Sequence, residues 1–157
     1  MCERTVKSES EWKRILTPEQ FVVTRRKGTE PAYTGKYCDF NGVGVYRCAC
    51  CDNALFSSEA KFGTRSKWPT FWAPVARENV RTARDIMHFM IRNEVLCARC
   101  DAHLGYVFED GRPPVGVRYL INSCALLFVG NRGRNIHGAP LLSVQKPGDR
   151  AYVQSMV

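Results

Sequence analysis

The residues best suited to chemistry are the cysteines. Eight occur in 157 residues, and four of them form two Cys-x-x-Cys pairs, Cys48/Cys51 and Cys97/Cys100, with 45 residues between the pairs. Two thiolates at this spacing can grip one ion from a single tight turn, and two such turns supply the four soft ligands of tetrahedral Zn²⁺. The N-terminus, MCERTVKSES, is charged and polar rather than an apolar secretion signal, so a disulfide scaffold is the poorer reading. With cysteine at all four positions, none is left open for water. That marks the zinc as structural rather than catalytic, with a contribution on the order of 10–16 kcal/mol by analogy with zinc-finger peptides. Asp52 and Asp101 each follow the second cysteine of a pair. Knuckle turns place a left-handed residue there, and Asp tolerates positive φ better than most side chains. Cys50 sits beside Cys51 and leaves the register of the first pair open; Cys51 is preferred because its spacing then repeats in the second pair.

Knuckles of this kind need strand ends and turns to hold them. Ser8 with Glu11 reads as a capping box, and Thr17, Pro18 and Gln20 repeat the signal, so two short helices are expected between residues 8 and 24. Residues 25–44 are rich in Gly and loop-like, and from Val43 the pattern alternates as strands do. Val43, Val45 and Tyr46 lead into the first pair. IMHFMIRNEVLC (86–97) reads as one strand with Met87, Phe89, Ile91 and Val95 on the buried face, feeding the second pair. LGYVF (104–108) is another strand, and VRYLINSCALLFV (117–129) reads as a single long one.

The fold class expected is mainly β with short N-terminal helices. Residues 1–128 are expected to form one zinc-binding domain and residues 129–157 a C-terminal extension. The longest apolar stretches, such as CALLFV at 124–129, fall far short of the ~18 residues of a membrane span. Net charge is +8, which suits an acidic partner such as nucleic acid, an anionic membrane face or an acidic protein surface.

Several blocks carry a resemblance: LTPEQF (16–21), KGTEPAYTGKY (27–37), ALF (54–56), KWPTF (67–71), CARCDAHLGYVFEDG (97–111) and VGVRYLINS (115–123). In this order they resemble the B-class methionine sulfoxide reductases, which reduce methionine-R-sulfoxide. The resemblance implies two antiparallel sheets, and in many members a zinc on two Cys-x-x-Cys pairs far from the active site. It also implies a nucleophilic cysteine in the motif Arg-Tyr-Cys-Ile-Asn-Ser. Here that motif reads Arg118-Tyr119-Leu120-Ile121-Asn122-Ser123, which puts Leu120 at the nucleophile position. The second histidine of the family's His-Leu-Gly-His is Tyr106, and the common resolving cysteine is Ser66. Trp68, His103, Arg118 and Asn122 keep the family's residues and are expected as a vestigial substrate-binding set.

Leucine cannot attack sulfur, and these departures lead to the expectation of a catalytically inactive zinc domain. It would serve as a structural or binding subunit of a larger assembly. Thiolate ligands favour a reducing compartment, with the cytoplasm and the mitochondrial matrix as candidates. One alternative is an active peptide-methionine (R)-S-oxide reductase with a displaced nucleophile, Cys124. It lies four residues beyond Leu120 and so on the same strand face, with its Cα about 13 Å away. A second alternative is an RNA- or ribosome-associated basic protein. Its signal is a C-terminal run of Arg112, Arg118, Arg132, Arg134, Lys146 and Arg150 against the single acid Asp149.

Overall fold

The computed structural model describes residues 3–63, 66–87, 89–110 and 116–131. Helix α1 (Glu9–Ile15) starts at Ser8, whose hydroxyl accepts from the Glu11 amide while the Glu11 carboxylate accepts from the Ser8 amide. Helix α2 (Pro18–Arg26) repeats the device with Thr17 and Gln20, with Pro18 in its first turn. Each box satisfies amides that a helix start would leave bare. Helix α2 ends at Lys27, whose φ of 60° turns the chain out of the helix.

Eight strands follow: β1 (Gly44–Cys48), β2 (Ala54–Ser57), β3 (Thr70–Phe71), β4 (Val80–Met87), β5 (Met90–Cys97), β6 (His103–Phe108), β7 (Arg118–Ile121) and β8 (Leu126–Gly130). They form two antiparallel sheets, ordered β2-β1-β8 and β3-β7-β6-β5-β4. The expected mainly β fold is therefore present. An aromatic core joins the sheets: Phe56 of β2 stacks on Phe71 of β3 at 4.5 Å, and Tyr46 of β1 meets Phe71 edge-on at 5.2 Å. Among the described residues, no helix is long and apolar enough to cross a membrane.

Two sequence expectations fail in instructive ways. The single strand over 86–97 is instead the tip and second arm of a hairpin: β4 ends at Met87, β5 begins at Met90, and Phe89 between them takes φ 61°. Met87, Phe89 and Ile91 are exposed rather than buried. Burial on β5 starts only at Glu94, where the strand enters the body of the sheet. The long strand over 117–129 is broken by a 3-10 turn at Ser123–Ala125, so its halves, β7 and β8, join different sheets. The turn also shifts the alternation. Ile121 and Ala125 are buried, but beyond the turn Leu126 points inward while Leu127 and Val129 are exposed. A period-2 argument across residues 120 to 124 therefore does not hold, and Cys124 does not share a strand face with Leu120. The C-terminal extension lies outside the described residues from 132 onward, as do Arg112, Arg132, Arg134, Lys146 and Arg150 of the basic run.

Candidate functional site

The two knuckles are near-copies. In the first, the Asp52 amide donates to the Cys48 carbonyl at 2.9 Å and the Cys48 amide to the Asn53 carbonyl at 2.8 Å. In the second, the Asp101 amide donates to the Cys97 carbonyl and the Cys97 amide to the Ala102 carbonyl, both at 2.9 Å. Asp52 and Asp101 take φ 65° and 61°, the left-handed turn expected of them. The sulfurs of Cys48, Cys51, Cys97 and Cys100 all lie within 4.8 Å of one another, with Cys48–Cys100 at 3.7 Å and Cys51–Cys97 at 3.6 Å. A tetrahedral ion with Zn–S bonds of about 2.3 Å separates its sulfurs by about 3.8 Å, so the cluster is compatible with zinc. Cys50 is not among the four. The N-terminal helices are tied to this cluster: the Arg25 guanidinium lies 4.4 Å over the Trp12 ring and donates to the Cys100 carbonyl at 2.9 and 3.0 Å.

A second site forms where β5, β6 and β7 meet the loops at Thr29 and Trp68. A cavity of about 110 Å³ is lined by Thr29, Trp68, Arg92, Gly105, Tyr106, Phe108, Leu120 and Asn122. Of the four expected substrate-binding residues, it brings together Trp68 and Asn122. His103 is buried behind it, its Nδ1 2.8 Å from Glu94 and its Nε2 without a partner. Arg118 turns away and pairs with Asp110 at 2.8 Å. Leu120 supplies hydrocarbon at the position where the family motif has its thiol.

Behind the cavity runs a charged network that sequence reading missed, because its members are far apart in the chain. Lys27 bridges Glu94 at 3.2 Å and Asp85 at 3.3 Å. The Tyr106 hydroxyl donates to Asp85 at 3.3 Å, and the Arg92 guanidinium covers the Tyr106 ring at 4.0 Å. Burial pushes the His103 pKa down and outweighs the pull of Glu94, so the imidazole is held neutral. At Asp85, burial pushes upward, but hydrogen bonding to Lys27 and its charge win and hold the carboxyl below its ordinary value.

A third feature adjoins the second. A cavity of about 260 Å³ is lined by residues of α2, by residues 34–36 and by Cys124. Glu19, Glu30 and Cys124 bring two carboxylates and a thiol within 4.8 Å of one another. Glu30 lines this cavity, and its backbone bonds two residues of the other. Its carbonyl accepts from the Trp68 indole N–H at 3.0 Å, and its amide donates to Asn122 Oδ1 at 3.0 Å. Its carboxylate accepts from the amides of Ser123 and Cys124. Burial first, then the charges of Glu30 and Glu19, push the Cys124 thiol up to about 12. Cys124 is part-buried, whereas Cys38 is buried, its thiol donating to the Lys67 carbonyl at 3.3 Å.

Residues 16–130 match the model of the SelR domain. The chain is 57% identical over 113 residues to a protein of Thioalkalivibrio sulfidiphilus named "Peptide methionine sulfoxide reductase MsrB", a match covering 72% of this chain and 82% of the relative. A Hahella chejuensis protein of the same name is 49% identical over 126 residues, covering 80% and 91%. An Arabidopsis thaliana protein, "Peptide methionine sulfoxide reductase B1, chloroplastic", is 52% identical over 120 residues, covering 76% of this chain and 59% of the relative. These relatives overturn the expectation of a catalytically inactive structural subunit. Relatives at about 50% identity carry the names of reductases, and none supports a pseudoenzyme, a structural subunit or a mitochondrial placement.

Proposed function

The chain belongs to the SelR family of methionine sulfoxide reductases, and on that premise we propose that it reduces methionine-R-sulfoxide in peptides. The observation that carries this reading is the extended match to proteins named for that reaction, across most of their length. The Trp68 pocket keeps Trp68 and Asn122 of the family's motifs, but Cys124 lines the neighbouring cavity, so in this reading the sulfoxide is held beside α2 and residues 34–36.

The reaction needs a thiol, and position 120 does not supply one. Cys124 is the nucleophile in this reading, because it lines a cavity, and its own thiol proton passes to the departing oxygen. The thiol attacks the sulfoxide sulfur and the S–O bond breaks. The oxygen passes to Cys124 as a sulfenic acid, and the substrate leaves as the thioether. An external dithiol then returns Cys124 to the thiol, giving a disulfide and water. Burial and the neighbouring carboxylates keep Cys124 protonated, so the enzyme works slowly near neutral pH.

Zinc on Cys48, Cys51, Cys97 and Cys100 belongs to the same reading. When bound, it joins the two knuckles and takes no part in the redox step.

The test is to offer free and peptide-bound methionine-R-sulfoxide with dithiothreitol. Turnover is expected, and Cys124→Ser is expected to abolish it. No turnover of the R epimer refutes the reductase reading. Turnover that survives Cys124→Ser refutes the assignment of the nucleophile, and Cys38→Ser and Cys50→Ser then test the two buried thiols outside the four-cysteine cluster.

A further inference from the structure

The β4–β5 hairpin carries an apolar cluster on the outside of the molecule. Ile86, Met87, Phe89, Met90 and Ile91 are all exposed, Phe89 fully. Met87 stands opposite Met90, and Ile86 opposite Ile91. At φ 61°, Phe89 occupies a conformation that Gly or Asn adopts at lower cost. Neither the turn nor the core calls for these side chains. Thioethers are usually shielded in protein interiors, yet Met87 is 45% and Met90 57% exposed.

We propose that Met87 and Met90 are a sulfoxidation site, and that the oxidised hairpin is a substrate for the reductase centre of a second copy of this chain. The repair step rests on the reductase reading above; the oxidation step does not. Oxidation takes one oxygen from a hydroperoxide. The O–O bond breaks, an S–O bond forms, and water or an alcohol leaves, with the thioether sulfur losing the two electrons that the peroxide gains. The product replaces two soft apolar groups with polar sulfoxides and so changes the character of the whole tip. Repair passes each oxygen to the thiol of the second copy, and a dithiol removes it as water. The reaction runs between molecules, because neither Met87 nor Met90 lines the cavity that holds Cys124 in its own chain.

The experiment exposes the full chain to hydrogen peroxide, with free methionine in the same tube as a reference. Peptide mass spectrometry then follows residues 87 and 90 before and after dithiothreitol is added. Each methionine is expected to gain one oxygen about as fast as free methionine. Because one enzyme handles one sulfoxide epimer, about half of that oxygen should then be lost. Doubling the protein concentration should shorten the half-time of repair about twofold. Several results overturn the proposal: methionines in the tip that resist peroxide while free methionine oxidises, a half-time independent of concentration, or a tip left oxidised while free methionine-R-sulfoxide is turned over. If both the tip and the free sulfoxide stay oxidised, the reductase reading fails, and the repair step with it. A Met87→Leu/Met90→Leu variant should keep turnover of free sulfoxide unchanged while losing the mass gain at the tip.

Discussion

The pH dependence of turnover follows from the surroundings of Cys124. With its thiol pushed up to about 12, about one molecule in 10,000 carries the thiolate at about pH 8; at the ordinary value near 9 it would be about one in ten. The loss in reactive form is about a thousandfold. Part of it is recovered, because a more basic thiolate is a better nucleophile. A Brønsted slope of about 0.4–0.5 over about three pKa units returns a factor of roughly 15–30. The net deficit against an ordinary thiol is then about 30–60-fold at about pH 8. With saturating dithiol, kcat/KM for methionine-R-sulfoxide should rise about tenfold per pH unit from about pH 7 to about pH 10, with no plateau. Circular dichroism at each pH confirms that the fold persists. A thiol at position 120 would sit instead in the Trp68 pocket beside the Arg92 guanidinium, away from Glu19 and Glu30. Leu120→Cys should therefore raise turnover by more than about 30-fold at about pH 8 and level off near about pH 9. A wild-type profile that levels off at or below about pH 9 would mean that a thiol of ordinary acidity makes the attack, and the reasoning built on the Glu19–Glu30–Cys124 group would be refuted.

Elemental analysis should find one zinc per chain, and a strong chelator or Cys51→Ser should remove it and lower the thermal midpoint; an unchanged midpoint in metal-free protein would contradict a structural role. Gly105→Ala should destabilise by about 4 kcal/mol or more, because the new Cβ would lie 1.9 Å from the Leu120 carbonyl oxygen in the β6–β7 ladder; urea unfolding measures this, and a loss below about 1 kcal/mol would show that the ladder yields. Burial lowers the His103 pKa, so the unfolded chain takes up a proton near about pH 6.5 that the folded chain refuses. Stability should therefore fall as pH drops below about 6.5, and the part of that fall removed by His103→Phe reports this residue. A urea midpoint with the same pH dependence in both proteins would refute it.

What the sequence made legible was local. The capping boxes at Ser8 and Thr17 name helix starts within a residue, because the bonds they make span three positions. The knuckles were equally plain: the spacing of the cysteines and the Asp after each pair fix the turn and its left-handed residue. What alternation could not show was where a strand changes sheet. Residues 117–129 are apolar enough to read straight through, and the turn at Ser123–Ala125 is stabilised by distant partners, chiefly the Glu30 carboxylate on the Ser123 and Cys124 amides. The hairpin tip misled for the opposite reason, since its apolar residues imitate a buried face. In the site, Trp68 and Asn122 were legible from motifs, whereas Arg92, Asp85 and Glu30 come together only through the fold. Leu120 was read correctly as a residue, but the reading of the whole chain as inactive gave three positions, Leu120, Tyr106 and Ser66, more weight than the rest of the match supports.

The four-thiol cluster takes two ligands from the end of β1 and two from the end of β5, and so ties one sheet to the other. During synthesis, the first half of this clasp emerges with Cys51, but the second is complete only at Cys100, roughly two-thirds of the way along the chain. Until then Cys48 and Cys51 have only half of the ligand set and stay open to oxidants and stray metals. A nascent chain of this protein thus passes through a window of chemical vulnerability that closes when the ribosome delivers the second pair.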